Sequence, residues 1–360
     1  MKKVTALFMA ALIAVSASAC GSSTPKASTA GDASSSAAST QSGTAQSNIK
    51  IGLATDTGGV SDQSVNQSAW EGLQALQKET GVKVSYLEPK QAADYATNLD
   101  KLVNAGNKLV WGIGFAMADS VLDAAKTNPD VNFAIVDNNY EKTPSNLTGV
   151  MFRAEESSFL VGYIAGRTTK TNKVGFVGGM KSSVIDQFQY GYQGGVAYAA
   201  KELGKTITVE IQYAESFSDA SKGKAIASKM FSGNCDIVFH AAAGVGVGVI
   251  QAAKESGKYA IGVDRDQAYL APKNVLTSAL KLVNNAISTL SKEYIKGTAI
   301  GGKSFNYGLT ENAVGIPKEH ALMGDSTYNA AIGLEDKIMK KTIVPPVSKE
   351  TFAKFVADLK

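Results

Sequence analysis

Lys50-Ile-Gly-Leu-Ala-Thr-Asp-Thr-Gly-Gly-Val-Ser-Asp-Gln-Ser-Val-Asn-Gln-Ser-Ala-Trp-Glu-Gly72 decides how this 360-residue chain is read. Ile49 to Ala54 is a short apolar run that predicts a strand. A polar, glycine-containing loop follows. Trp70, Leu73 and Leu76 then recur at helical spacing. Asp56 stands where the strand ends. Ser64 or Asn66 is placed to cap the helix, because a short side-chain oxygen can accept one of its orphan N–H groups. A strand, loop and helix with polar residues at the strand's carboxyl end puts those residues at the crevice where open α/β sheets bind ligands.

The device returns downstream. Lys173-Val-Gly-Phe-Val-Gly-Gly runs through Ser182-Ser-Val-Ile-Asp-Gln-Phe188 into Tyr190-Gly-Tyr-Gln-Gly194. Asp137 ends Phe133-Ala-Ile-Val-Asp, and Asp264 ends Ala260-Ile-Gly-Val-Asp. Ala124-Ala-Lys126 recurs as Ala252-Ala-Lys254. These landmarks keep their order at offsets of 122 to 128 positions, which points to two similar halves. Ten short apolar strands alternate with helical stretches, from Ile49–Ala54 to Val275–Ala279, and such alternation predicts parallel sheets with right-handed crossovers. The expected fold class is therefore α/β: two doubly wound parallel-sheet lobes joined by a multi-strand hinge. The first lobe is expected over residues 48–152 plus about 278–308. The second is expected over residues 153–277 plus about 309–360. Several crossings suit closure around a ligand.

The N-terminus is of another kind. Met1-Lys-Lys3 is a positive n-region, Val4 to Val15 is apolar, and Ser16-Ala-Ser-Ala-Cys20 supplies small residues ending in cysteine. The apolar run is short of the ~20 residues a bilayer needs, so it reads as a secretory signal. Residues 21–47 are almost all Ser, Ala, Thr, Gly and Gln, a composition expected of a flexible tether. Cys20 and Cys235 are the two cysteines. Cys235 precedes Ile237-Val-Phe and reads as a small buried residue. The two histidines are His240 and His320, so no Cys/His cluster has metal spacing. The net charge of +4 comes from interspersed Lys, Arg, Asp and Glu, which does not suggest nucleic acid.

Several residues are candidates for the cleft. Asp137 and Asp264 end strands, and each carboxylate can accept two hydrogen bonds from a diol or a base N–H edge. Helix capping is the plainer role for either. Phe188, in what reads as a polar loop, is either a stacking platform for a flat ring or a staple onto the next helix. Ala241-Ala-Ala-Gly-Val-Gly-Val-Gly248 follows a strand and precedes a helix expected at Val249–Lys254. Its glycines alternate and no GK[ST] follows, so it is not a nucleotide phosphate loop. Lys281, after an apolar strand, can donate to a ligand oxygen or sit on the surface. No GxSxG or HExxH occurs, and two histidines leave few general bases. Neither catalysis nor a cofactor is expected.

Together these segments resemble the basic membrane protein family of bacterial lipoproteins, purine nucleoside receptors of ABC transporters with the type 1 periplasmic-binding-protein fold. The matching stretches are Asp56 to Asn66, Phe115-Ala-Met-Ala-Asp119, Phe133-Ala-Ile-Val-Asp137, Phe188-Gln-Tyr-Gly-Tyr-Gln-Gly-Gly-Val196, Ala242-Ala-Gly-Val-Gly246, Gly262-Val-Asp-Arg-Asp-Gln267 and Thr277-Ser-Ala-Leu-Lys281. The resemblance implies that Asn66, Asp137 and Asp56 read the base and that Phe188 stacks on it. Gly244, Gly246, Asp264 and Lys281 would hold the ribose. Family members usually carry an aromatic residue where Val65 stands, so Val65 would give apolar contact on the base's other face. The N-terminal segment likewise resembles a lipoprotein signal, with the box Ala17-Ser-Ala-Cys20 and lipidation at Cys20. The implied protein is lipid-anchored on the extracytoplasmic face of the cell membrane. Its partners would be adenosine, guanosine or inosine and an ABC permease. A receptor of the same fold for a sugar or signalling molecule, and a secreted nucleoside-cleaving enzyme, remain as alternatives.

Overall fold

A computed structural model describes residues 49–359 of the chain. The signal segment, Cys20 and the tether at 21–47 lie outside the described residues.

The first sheet takes β1 (Lys50–Ala54), β2 (Lys83–Leu87), β3 (Leu109–Ile113), β4 (Asn132–Val136) and β5 (Leu147–Phe152). Between them run α1 (Val65–Thr80), α2 (Tyr95–Asn104) and α3 (Ala118–Thr127). The chain then crosses through α4 (Ala154–Thr168) into a second sheet: β6 (Lys173–Gly178), β7 (Thr208–Tyr213), β8 (Ile237–Ala241), β9 (Tyr259–Asp264) and β10 (Val275–Lys281). Here α5 (Ser183–Leu203), α6 (Ala220–Ser232) and α7 (Gly244–Ser256) make the crossovers. After α8 (Val283–Ile295), β11 (Lys303–Tyr307) joins the first sheet and β12 (Val314–Gly315) the second. Two helices finish the chain, α9 (Asp325–Met339) and α10 (Lys349–Asp358).

The sheet orders are β11-β5-β4-β3-β1-β2 and β12-β10-β9-β8-β6-β7, so the five main strands have the same arrangement in each half. All their pairings are parallel. Central strands such as Leu-Val-Trp-Gly-Ile and Ile-Val-Phe-His-Ala are buried along their whole length, as sheets covered by helices on both faces require. Each sheet reverses its order beside β1 and β6, the position that forms a crevice at the strands' carboxyl ends.

The strand expected at Val275–Ala279 continues to Lys281 in register with β9, Leu280 pairing with Asp264. Residues 278–281 therefore belong to the second lobe, and the chain returns to the first only after Lys281. The segment expected to precede a helix at 249 is itself helical from Gly244, and Phe188 stands in α5 instead of a loop, because Ser182 caps that helix by accepting from the Ile185 N–H at 3.3 Å. In α4 and α5 glycine permits a tight crossing. A Cβ on Gly195 would overlap the Phe159 carbonyl, and one on Gly162 the Tyr192 carbonyl.

The three crossings are cross-linked. The Arg153 backbone N–H donates to the Tyr307 carbonyl at 2.7 Å. Its guanidinium donates to the Asn306 carbonyl at 2.6 Å, to Glu311 Oε2 at 2.6 Å and to Glu156 Oε1 at 2.8 Å. Glu156 Oε2 accepts from the Leu309 N–H at 2.7 Å. Leu282 N–H donates to the Ala313 carbonyl at 2.8 Å. Among the described residues no helix is long and apolar enough to cross a membrane.

Candidate functional site

The loop after β1 is held by carboxylates. Asp62 Oδ1 accepts from the N–H groups of Ser64 (2.8 Å) and Gln67 (3.0 Å), and Oδ2 from that of Asn66 (3.0 Å). Asp62 therefore caps α1, where an anion also suits the helix dipole. Ser64 and Asn66, the expected capping residues, do not fill that role. The Ser64 hydroxyl instead crosses to the other lobe and donates to Asp264 Oδ2. Asn66, fully buried, donates to Asp56 Oδ1 at 2.8 Å and Asp62 Oδ2 at 2.9 Å and accepts from the Asp56 N–H at 3.3 Å. Its amide positions Asp56.

Asp56 also accepts from the Gly58 N–H at 2.8 Å. Burial outweighs these hydrogen bonds and pushes its carboxyl up to about 6, with Asp62 and Asp137 adding like charge. Asp137 and Asp264 follow equivalent strands, and both adopt left-handed backbone, at φ 65° and 64°. Asp tolerates that region better than most residues. Lys281 ends β10 and is 2% exposed. Its Nζ lies 2.7 Å from Asp137 Oδ2 in the opposite lobe and 3.4 Å from Asp264 Oδ1 in its own. The rings of Phe152 and Phe188 lie 5.7 and 5.6 Å from the same ammonium. Burial pulls the Lys281 ammonium down, but the two carboxylates more than offset it and hold it above its usual value. Burial raises the Asp137 carboxyl, with Lys281 opposing.

These groups face one narrow cleft lined by residues of both lobes. Asp56, Val65, Asp137, Phe188, Asp264 and Lys281 all line it. Asn66 does not; it stands behind Asp56. Gly244 and Gly246 do not line it either. They form the first turn of α7, and a Cβ on Gly246 would overlap the His240 ring. Ala241, Ala242 and Ala243 line the wall in their place. Sequence reasoning missed three further parts of the wall: Val184 with Ile185, Val263, and an aromatic pair. Phe115 of the first lobe meets Phe217 of the second edge to face, with ring centroids 6.0 Å apart. Phe115 lay in a segment already singled out; nothing in the sequence near Phe217 marked it.

The arrangement is an apolar slot with three carboxylates and one ammonium drawn from both lobes. It suits a flat or apolar guest carrying several hydrogen-bond donors and an oxygen acceptor. Among the described residues no group of three or more His, Cys, Asp or Glu is placed to hold a metal ion.

Comparison with known proteins identifies relatives of the whole described fold. A family model described as "ABC transporter substrate-binding protein PnrA-like" matches residues 49–349. Basic membrane protein A of Borreliella burgdorferi is 40% identical over 314 residues, covering 86% of this chain and 91% of that protein. The ABC transporter nucleoside-binding protein BmpA of Lactococcus lactis is 41% identical over 305 residues, covering 79% and 86%. An ABC transporter solute-binding protein from Aeropyrum pernix superposes with a TM-score of 0.77 at 24% identity, over 86% of this chain and 97% of that one.

Proposed function

Because this chain belongs to the PnrA-like family of ABC transporter substrate-binding proteins, we propose that it captures purine nucleosides between its lobes and delivers them to a membrane permease. What supports this reading most is the convergence of Asp56, Asp137, Asp264 and Lys281 on one otherwise apolar cleft. Asp56 and Asp137 accept from base N–H groups, with Asn66 holding Asp56 in place. Phe188 and Val65 contact the two faces of the base. Asp264 and Lys281 engage the ribose hydroxyls, the carboxylate as acceptor and the ammonium as donor. A guest that touches both lobes favours the shut form, because only that form offers every contact. No bond is made or broken. Lipidation at Cys20 and the tether at 21–47 would keep the receptor at the extracytoplasmic membrane face, near its permease.

The test is calorimetric titration of residues 44–360, the second of the two units into which the chain divides. Adenosine, guanosine, inosine and ribose are compared, with Asp264→Asn alongside. Saturable nucleoside binding weakened at least about tenfold by the substitution is expected, as when a charged hydrogen-bond acceptor is lost. Binding that ignores the substitution, or preference for ribose alone, refutes the assignment. Release of free base during incubation would indicate a nucleoside-cleaving enzyme. Labelling of Cys20 by a fatty-acid probe in cells, abolished by Cys20→Ser, checks the anchor.

A further inference from the structure

We propose that Gln267 is a positioning residue for capture: its side-chain amide straps the second lobe to the first by donating to the Gln63 backbone carbonyl, and His240 fixes the amide in that orientation. Gln267 is fully buried just after β9, yet it belongs to no wall of the cleft. Its Nε2 donates to the Gln63 carbonyl of the first lobe at 2.9 Å. Its Oε1 accepts from the Val263 N–H at 3.0 Å and lies 3.0 Å from His240 Nε2. Its own N–H donates to Ser278 Oγ at 3.1 Å.

The orientation follows from donor and acceptor chemistry. The Val263 N–H can only donate, so the amide oxygen faces it and the NH₂ faces the first lobe. An acceptor oxygen opposite His240 Nε2 requires a hydrogen on that nitrogen. The imidazole is neutral, since burial pulls it down to about 4, so it is the Nε2–H tautomer. Gly246 leaves room for the ring, because any side chain there would occupy its position. On the other side Gln63 stands in left-handed backbone at φ 59°.

Three further links join the same two segments. Ser64 donates to Asp264, Tyr269 donates to Gln63 Oε1, and Arg265 meets Glu71 Oε1 at 3.1 Å. The last two are partly exposed and contribute little. The Ser64–Asp264 bond and the Gln267 amide rest on buried side chains, and loss of either strands polar groups; Gln267 is the one of the two that does not belong to the ligand-binding wall.

The substitution that separates the roles is Gln267→Glu. It keeps an acceptor for Val263 and His240 but turns an oxygen toward the Gln63 carbonyl. Tyr269→Phe serves as the peripheral control. Small-angle scattering is recorded without nucleoside. A larger radius of gyration for Gln267→Glu and an unchanged one for Tyr269→Phe are expected; equal profiles for all three proteins overturn the proposal whatever the cleft binds. The second arm rests on the nucleoside reading. In stopped-flow with guanosine, dissociation from Gln267→Glu is expected to be at least about tenfold faster while association changes by less than about threefold. Parent-like release overturns the proposal. If parent and variants alike bind no nucleoside, the reading of the cleft fails while scattering still decides the strap. Should Gln267→Glu not fold, nitrogen chemical shifts of His240 in the parent chain decide: Nε2–H supports the proposal, and Nδ1–H or an imidazolium at pH 7 overturns it.

Discussion

Replacing Lys281 with methionine keeps the unbranched stem, one atom shorter, and removes its charge from between two carboxylates. At the observed 2.7 and 3.4 Å, an effective dielectric near 20 gives gross attractions of about 6 and 5 kcal/mol. Most of this is offset by the cost of burying all three ions. Breaking such a group by removing one partner costs about 3–5 kcal/mol, because the survivors are left buried and unpaired. For a chain of this size that is a drop in Tm of about 5–8 °C, read by calorimetry near pH 7.5. The deficit must also depend on pH. Asp137 is already raised above its ordinary 3.8 by burial, and without the ammonium it rises further. A carboxyl raised in the native state stabilises most below its unfolded value, and that contribution is lost as pH climbs through the native value. The deficit of Lys281→Met relative to the parent should therefore shrink as pH falls from 8 to 5. A loss below about 2 °C would refute the reasoning. So would a deficit that stays constant across that range.

Three other outcomes are expected. With Asp56 pushed up to about 6, nucleoside affinity should fall as pH drops below that value, since a protonated carboxyl accepts poorly from a base N–H; calorimetric titration from pH 8 to 5 checks this, and Asp56→Asn should flatten the profile. The same shift makes Asp56 favour the ligand-free native state at low pH, so stability from this group moves opposite to affinity. Gly195→Ala should cost at least about 1–3 kcal/mol by driving α4 and α5 apart, visible in urea unfolding. Cys235, buried and pushed up to about 11 by that burial, should resist thiol reagents in residues 44–360 until urea unfolds the chain.

Much of the fold was legible because the central strands are continuous apolar runs bounded by polar turns. Asn132–Val136 and Leu147–Phe152 are such runs. What escaped was short or at an edge: Lys303–Tyr307 carries little apolar signal, and Val314–Gly315 is two residues long. The start of α7 escaped for a different reason. Glycines read as breakers, but Gly246 and Gly248 are demanded by neighbours, the His240 ring and the Ala220 carbonyl, that lie elsewhere in the chain. In the cleft, the strand-end residues Asp56, Asp137, Asp264 and Lys281 announce themselves by position. Phe217 and Gln267 act through the opposite lobe, and no local pattern encodes that relation.

One correspondence between the sheets reaches further. Val136 pairs with Val150 in the first sheet as Val263 pairs with Ala279 in the second. Counting on, the counterpart of Lys281 is Phe152, and these two side chains are the ones found in contact, ammonium over ring. Two identical halves would meet here as like against like and enclose a symmetric hollow. At this pair one half presents a cation and the other a ring. The hollow therefore has a head and a tail, and a passenger with two chemically different ends is expected to lie in it one way round.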